Sequence, residues 1–439
     1  MGSRFLTRWV AVAIVIGIIL RFAVGFVFTY NYDVYHWALT ISNIEAGNGL
    51  YDVAGYYYTP VWGYLLALFS QTYGLLGLDY LGERFAELLF TEDATSIFPH
   101  TAFVTSIGFN LALTALIFVF DLVGGYLVYW IVREVFGDEE KARWCFVLWF
   151  LFAPVIIVGS GGGMFDSLSA LMTLLIIALL IKGREFAAGL MFSAAILLKL
   201  FPIFLFFLFI AYIYVRHRED GWMRRVALAG AGSILMLAVL MVPQVLSGNV
   251  MDAFSFLLSR ATTDDSMFGA LEQYGSVIVY SLIIIAEIVL AYKFSRMEHP
   301  RPEMSLLWFS FIGLTLVFLY PSTPQYLLLL TPLLIIAAIC IDPLLRYPVL
   351  ILMVGTSVFD LSSNVMGLTS LTMYTDIISI DAWTSWYSAL QSQAFGITAS
   401  NWFSIIGGVL QYAAVASALL IVVKRYLSKK SESASRWAS

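Results

Sequence analysis

The sequence predicts an all-α polytopic membrane protein, and three observations carry that reading. The 439 residues are 61% hydrophobic and only 12% charged, where a water-soluble chain carries roughly twice that charged fraction. Apolar runs long enough to cross a hydrocarbon core of ~30 Å recur along the chain, and helices alone satisfy their own backbone hydrogen bonds there. Lys and Arg gather in alternate connections, the asymmetry that orients membrane helices.

The elements follow in order. Residues 9–30 form a first helix behind the basic front "MGSRFLTRW". No small-residue cleavage pattern follows, so an uncleaved signal-anchor is expected. Further transmembrane helices are expected near 103–132, 144–158, 165–181, 186–199, 201–215, 226–246, 277–294, 304–320, 327–341, 349–367 and 402–423. With the N-terminus inside, the cytoplasmic pieces are the head, 133–143, 182–185, 216–225, 293–303, 342–347 and the tail. All but four of the 24 Lys and Arg residues lie in those pieces, the exceptions being Arg21, Arg84, Lys199 and Arg260.

Residues 31–102 then form one long first extracytoplasmic loop, aromatic and acidic. Within it, 60–78 is apolar enough to span, but a crossing there would carry the basic "REVFGDEEKARW" outside. An interfacial or re-entrant element is expected instead. The stretch Phe186–Val215 is bounded by bases on both sides and interrupted by "KLFP". Two half-length helices meeting near Lys199 and Pro202 fit it, a break tolerated where it lines a protein cavity. Residues 1–425 read as a single transmembrane domain and 426–439 as a cytoplasmic polar tail.

Composition narrows the chemistry. There is no phosphate-binding P-loop, and four scattered histidines make a histidine-rich metal site an unsuitable reading. Cys145 and Cys340 fall at or within membrane segments and imply no disulfide framework. Asp33, in "FTYNYDVYHWA", stands where the first helix ends, ringed by Tyr30, Tyr32, Tyr35, His36 and Trp37. The plain reading is a headgroup-zone carboxylate within an aromatic belt. The functional reading is a general base with its pKa raised by partial desolvation, beside rings that suit a sugar face. Lys199, beside a proline in an apolar stretch, either snorkels to an interface or marks a site. Near the outer leaflet its ammonium could hold a lipid-borne phosphate, with Arg260 as a second, bidentate contact. Arg21, Asp121, Glu287 and Asp360 lie within helices, and pairing of Arg21 with Asp121 is the first expectation, because unpaired charges there are costly. "GSGGGMFDS" places Asp166 at a glycine turn, and "YPSTPQY" places Gln325 and Tyr326 at another.

Four stretches together resemble a known family. They are "DVYHWA…GNGLYDVAGYYYTPVWGYLL", "LIFVFDLVGGYLVYWIV", "AAGLMFSAAILLKLFPIFLF" and "STPQYLLLLTPLL". Their order is similar to that of the GT-C membrane glycosyltransferases that use a polyprenyl-phosphate sugar. Within these, the chain most resembles the group around the catalytic subunit of GPI mannosyltransferase I and its prokaryotic relatives.

The resemblance implies a GT-C-like bundle of about 12 (11–13) transmembrane helices, with interfacial helices in the long first extracytoplasmic loop. It implies that Asp33 is the catalytic base, and that Lys199 and Arg260 face the donor phosphate. Tyr35, His36, Tyr58, Asp166, Gln325 and Tyr326 would border the donor and acceptor pocket. The chain departs from the eukaryotic subunit in one respect: it reads "NYD" where that subunit has Asp-x-Asp, so a two-carboxylate metal site is not expected, nor any cofactor. The implied partners are the bilayer, a polyprenyl-phosphate (dolichyl-phosphate) mannose donor and a glycolipid or glycan acceptor, with no nucleic acid. The implied place is the plasma membrane, or the ER membrane of a eukaryote, with the active site outside and both termini cytoplasmic. Two other readings stay open on the residues alone: a secondary transporter of a lipid or sugar, and a non-catalytic scaffold of glycan assembly. Beyond about residue 345 no match supports a role.

Overall fold

The computed structural model describes residues 5–52, 56–75, 85–87, 103–254, 267–319 and 324–437. Helix α1 (Arg8–Val27) leads through a three-residue link into α2 (Asn31–Glu45), and α3 (Pro60–Leu75) follows. Pro60 opens α3 at the first helical position, where its missing N–H costs nothing. The approach to it is pinned by Tyr56, whose hydroxyl accepts from Gly63 N at 2.7 Å and donates to Thr59 O at 2.8 Å. A short antiparallel ribbon, β1 (Phe85–Glu87) with β2 (Phe103–Thr105), precedes α4 (Ile107–Phe136). Ser106 caps α4 by accepting from Phe109 N, and Gly137 ends it in the left-handed conformation at φ 70°.

Helix α5 (Glu139–Phe150), capped by Asp138, stops before Pro154. A π-helical turn, Val155–Ser160, then replaces the continuous helix expected over 144–158. Proline and the glycine run behind it explain the interruption. α6 (Asp166–Ile181) and α7 (Glu185–Ile196) are joined at Gly183. The predicted break in Phe186–Val215 is present: α7 ends, a 3₁₀ turn Phe201–Leu205 carries Pro202, and α8 (Phe206–Arg216) resumes. Then come α9 (Trp222–Ser247), α10 (Met267–Arg296) and α11 (Pro302–Val317), followed by a 3₁₀ turn Pro324–Leu328 and α12 (Thr331–Ile336), which a π-helical turn extends to Ile341. α13 (Arg346–Ser363), α14 (Thr369–Tyr374), α15 (Ile380–Leu390), the ribbon β3 (Gln393–Ala394) with β4 (Ile397–Thr398), and α16 (Ala399–Trp437) complete the chain. Nothing between 426 and 437 breaks a helix, so α16 continues through the polar tail residues.

Among the described residues, six helices are long and apolar enough to cross a membrane: Arg8–Val27, Ile107–Phe136, Trp222–Ser247, Ile278–Arg296, Pro343–Ser363 and Ala399–Tyr426. Five apolar helices of 10–17 residues accompany them, Asp166–Ile181, Glu185–Ile196, Phe201–Arg216, Pro302–Val317 and Thr331–Ile341. About twelve crossings were expected, and six of full length are present among the described residues. Gly183, Pro202 and the Asp342–Pro343 step cut the chain into pieces that an apolar pattern alone does not separate. α3, covering the ambiguous 60–78, is a 16-residue helix and is not among the six.

Some of the short helices are interior elements. α6 is buried almost from end to end, whereas α9 exposes Ile234, Leu237, Val239 and Val242 along its length. Helices meet through small residues, as they do where lipid removes the hydrophobic drive between them. Gly189 of α7 lies against the Ala229 carbonyl of α9, and Ser193 of α7 donates to Ser233 O at 2.8 Å. α1 and α4 run antiparallel: Gly25 meets Thr114 at one end, and Phe5 meets Tyr129 with ring centroids 4.6 Å apart at the other. The end where α1 finishes carries the polar interior described next.

Candidate functional site

The link between α1 and α2 is held by main-chain hydrogen bonds from two directions. Thr29 N donates to Gly367 O at 3.0 Å, and Tyr30 N donates to Gly162 O at 3.1 Å. The glycine run 161–163, which opens this turn, takes the contact because it has no side chains to obstruct it. A Cβ on Gly162 would stand 2.7 Å from the Tyr30 ring, and one on Gly163, at φ +84°, would stand 2.6 Å from Val34. These bonds fix the start of α2 and hence Asp33, in its first turn.

Asp33 and Trp37 are one helical turn apart and share a face. Trp37 is buried, and its Nε1 donates to Gly163 O at 3.2 Å. Its ring meets those of Tyr58 at 5.3 Å and Trp62 at 5.7 Å, while Trp62 stacks on Phe165 at 4.6 Å. The aromatic wall therefore joins α2, α3 and the glycine turn. Tyr58 donates a long 3.5 Å hydrogen bond to Asp33 Oδ1.

The second charged element sits across this wall. Lys199 follows the end of α7, and its Nζ is paired with Asp166 Oδ1 at the start of α6. Both are buried, at 7% and 2% exposure, so neither charge is left to bulk water. The ammonium also lies 4.3 Å from the Tyr326 ring centroid and 4.8 Å from that of Phe165, a cation–π cradle. Asp166, expected at a glycine turn, closes that turn as the buried counter-ion of Lys199, because the turn folds inward against α1 and α2.

These charges act on Asp33, which is half-buried. Burial pushes its carboxyl up from 3.8 to about 6; Lys199 pulls down, Asp166 pushes up and the Tyr58 hydrogen bond pulls down. Tyr30 is buried beside it, and burial together with the neighbouring Asp360 carboxyl raises its phenol well above the usual range. The arrangement offers a carboxyl poised to accept a proton, next to a fixed cation with donor capacity to spare. An ammonium has three N–H donors, and Asp166 takes one.

The structure thus brings together Asp33, Tyr58, Asp166, Lys199 and Tyr326. On α2, His36 meets the rings of Tyr32 at 4.6 Å and Tyr57 at 5.4 Å, and Tyr35 at 5.4 Å. Gln325 is half-buried on the same 3₁₀ turn as Tyr326. Arg260 lies outside the described residues. Among the described residues no group of three or more His, Cys, Asp or Glu is arranged to hold a metal ion. Phe165 and Trp62 were not singled out from the sequence. The signal for Phe165 was its place beside Asp166, at the close of a glycine run.

The model of glycosyltransferase family 87 matches residues 97–321, just over half of the chain. The chain belongs to glycosyltransferase family 87. This is a family of GT-C-like membrane glycosyltransferases, and the protein is a glycosyltransferase. No curated protein matches the chain. Asp166, Lys199 and Arg260 lie within the stretch matched to family 87. Asp33, Tyr35, His36 and Tyr58 precede it, and Gln325 and Tyr326 follow it.

Proposed function

We propose that this family 87 enzyme is an inverting α-mannosyltransferase, close in action to the GPI mannosyltransferase I group. It would move mannose from a polyprenyl-phosphate donor to a hydroxyl of a lipid-linked or glycan acceptor on the extracytoplasmic face. The observation that carries the reading is the pairing of two opposite tools at one membrane end: a half-buried carboxyl raised to about 6 and a buried, aromatic-cradled lysine.

The acceptor hydroxyl gives its proton to Asp33 as its oxygen attacks the anomeric carbon. The carbon–oxygen bond to phosphate breaks on the opposite face, and the bonding electrons leave with the polyprenyl phosphate. A β-linked donor becomes an α-linked product in one displacement. A base with a pKa near the working pH combines a useful ionised fraction with useful basicity. Lys199 keeps N–H donors free of Asp166 to meet the charge that grows on the departing phosphate, which is stabilisation directed at the transition state. Arg260 is the second phosphate contact in this scheme. Trp37, Tyr58 and Trp62 supply flat apolar faces of the kind that pack on a sugar ring. Holding two lipid-borne substrates in one groove accounts for much of the remaining acceleration. The chain's own residues perform these steps with no metal or cofactor required.

The test is transfer of radiolabelled mannose from polyprenyl-phosphate mannose in membranes holding equal amounts of wild type and Asp33→Asn. Transfer by the wild type and its loss in the variant support the scheme. Transfer surviving in Asp33→Asn removes Asp33 as the base.

A further inference from the structure

Two ion pairs tie helices together away from the site. Arg21 Nε on α1 donates to Asp121 Oδ2 on α4 at 3.0 Å, with neither side chain exposed. Arg425 Nη1 on α16 donates to Asp342 Oδ2 at 3.2 Å. At the end of the bundle where α1 begins, opposite Asp33, two other charges are left over. Glu140 on α5 and Arg346 on α13 are exposed and make no ion pair among the described residues.

Both line one groove of about 560 Å³, cut between α5, α13 and the π-helical end of α12. Helical spacing puts them there. Glu140, Trp144 and Leu148 recur every fourth residue on one face of α5, and Arg346 and Leu350 do the same on α13. Ile335 and Ile339 supply the third wall. α5 and α13 both start at this end, so the charged residues stand at the mouth and the apolar ones lie deeper. Trp144, Leu148 and Leu350 are exposed, which opens the groove sideways toward lipid. The Trp144 ring lies 4.9 Å from that of Trp9 on α1, and tryptophan favours the headgroup level. From Glu140 to Leu148 the α5 wall descends about 12 Å, most of the half-depth of a ~30 Å hydrocarbon core.

The charges at the mouth select among lipids. Asp138 and Lys141 also line it, but they answer each other: Lys141 N donates to Asp138 Oδ1 at 3.0 Å, and Lys141 Nζ lies 3.5 Å from Oδ2. One guanidinium and one carboxylate remain. A guanidinium fork matches the two free oxygens of a phosphodiester. A carboxylate beside that phosphate calls for an N–H donor, which a primary ammonium has and a quaternary choline lacks. A headgroup carrying only negative charge would meet Glu140 with like charge.

We propose that this groove binds one glycerophospholipid with a primary-amine headgroup, of the phosphatidylethanolamine class, its phosphate on Arg346, its ammonium on Glu140 and its upper acyl chains along Trp144, Leu148, Ile335, Ile339 and Leu350. Basic pockets between membrane helices are recurrent headgroup sites, and the added carboxylate is what gives this one its preference. The site lies apart from Asp33 and Lys199 and does not rest on the donor proposed above.

The test is native mass spectrometry of the full-length, delipidated protein in detergent, titrated separately with phosphatidylethanolamine, phosphatidylcholine and phosphatidylglycerol of identical acyl chains. The wild type is expected to hold one phosphatidylethanolamine about tenfold or more tighter than either other lipid. Arg346→Gln should weaken that binding by about tenfold or more, and Glu140→Gln should erase the preference for the amine over choline. Arg184→Gln, at an exposed arginine outside the groove, should bind as wild type. Glu140 and Arg346 are exposed, so lipid-free melting temperatures should match across the set. Equal affinity for the three lipids, or a preference for phosphatidylglycerol, overturns the proposal on the wild type alone. A preference that survives both substitutions overturns it too, as does a loss in Arg184→Gln equal to that in Arg346→Gln, which would mark general charge rather than a site.

Discussion

Replacing Asp33 by Asn separates two consequences of the same buried carboxyl. The wild-type group titrates at about 6 instead of 3.8, with burial the main cause. The folded site therefore prefers the protonated acid. Its contribution to stability is complete below 3.8 and is lost as pH rises toward 6. At 1.36 kcal/mol per pH unit the loss approaches about 3 kcal/mol, and partial solvent exposure of Asp33 brings it to about 1–3 kcal/mol. Asn cannot ionise, so Asp33→Asn is expected to melt higher than wild type above pH 6 and to match it near pH 4. Activity runs the other way. The wild-type kcat/KM should rise tenfold per pH unit below about 6 and level off above it, and the variant should lose about 10²–10⁴-fold at pH 7. Melting curves in detergent from pH 4 to 8, alongside transfer rates over the same range, check both. A variant that keeps a tenth of wild-type activity, or a pH–rate profile without a limb near 6, refutes the reasoning.

Three further outcomes follow from the geometry. Lys199→Met leaves the Asp166 carboxylate buried without its cation and is expected to cost about 3–5 kcal/mol. Adding Asp166→Leu should recover most of the melting temperature but none of the transfer activity. Gly163→Ala places a Cβ 2.6 Å from Val34 at φ +84°, and should destabilise by about 1–3 kcal/mol and lower kcat, read by thermal melting and transfer assay. Glu287 in α10 is 1% exposed, and neither of its carboxylate oxygens has a hydrogen-bond partner among the described residues. Glu287→Met should raise stability by about 1–3 kcal/mol in a melting assay, and a fall of that size would show that the carboxyl has a structural partner.

Much of this molecule was legible in its residues, and the boundary of legibility has a physical cause. Lys199 beside Pro202, inside an apolar stretch flanked by bases, announced a broken helix, because charge and a missing N–H are both expensive in lipid. Arg21 and Asp121 could be paired from sequence since each needed an opposite charge and no cheaper partner was in view. Span number was harder. An apolar run says that a helix avoids water, and α6, buried in protein, avoids it as thoroughly as α9, which faces outward with Ile234 and Val239. Asp166 illustrates the other limit. Its meeting with Lys199, 33 positions away, depends on how the glycine turn folds against Tyr30 and Trp37, and that is settled by main-chain hydrogen bonds which composition does not reveal. The part of the wall made by Trp62 and Phe165 was hidden for a simpler reason: aromatic residues make up 16% of the chain, so a ring far from Asp33 in sequence does not stand out.

The short apolar helices carry a consequence for the surrounding lipid. At 1.5 Å per residue, pieces of 10–17 residues extend about 15–25 Å, less than the ~30 Å depth of a hydrocarbon core. Where such pieces reach the edge of the bundle, the bilayer must pinch inward to meet them, at an elastic cost of fractions of a kcal/mol per Å of mismatch. A pinched leaflet lowers its headgroups. If the donor is the polyprenyl phosphate proposed above, its phosphate then needs little displacement from its own resting depth to reach an ammonium at a helix break, and affinity for it becomes a property of bilayer thickness as well as of side chains.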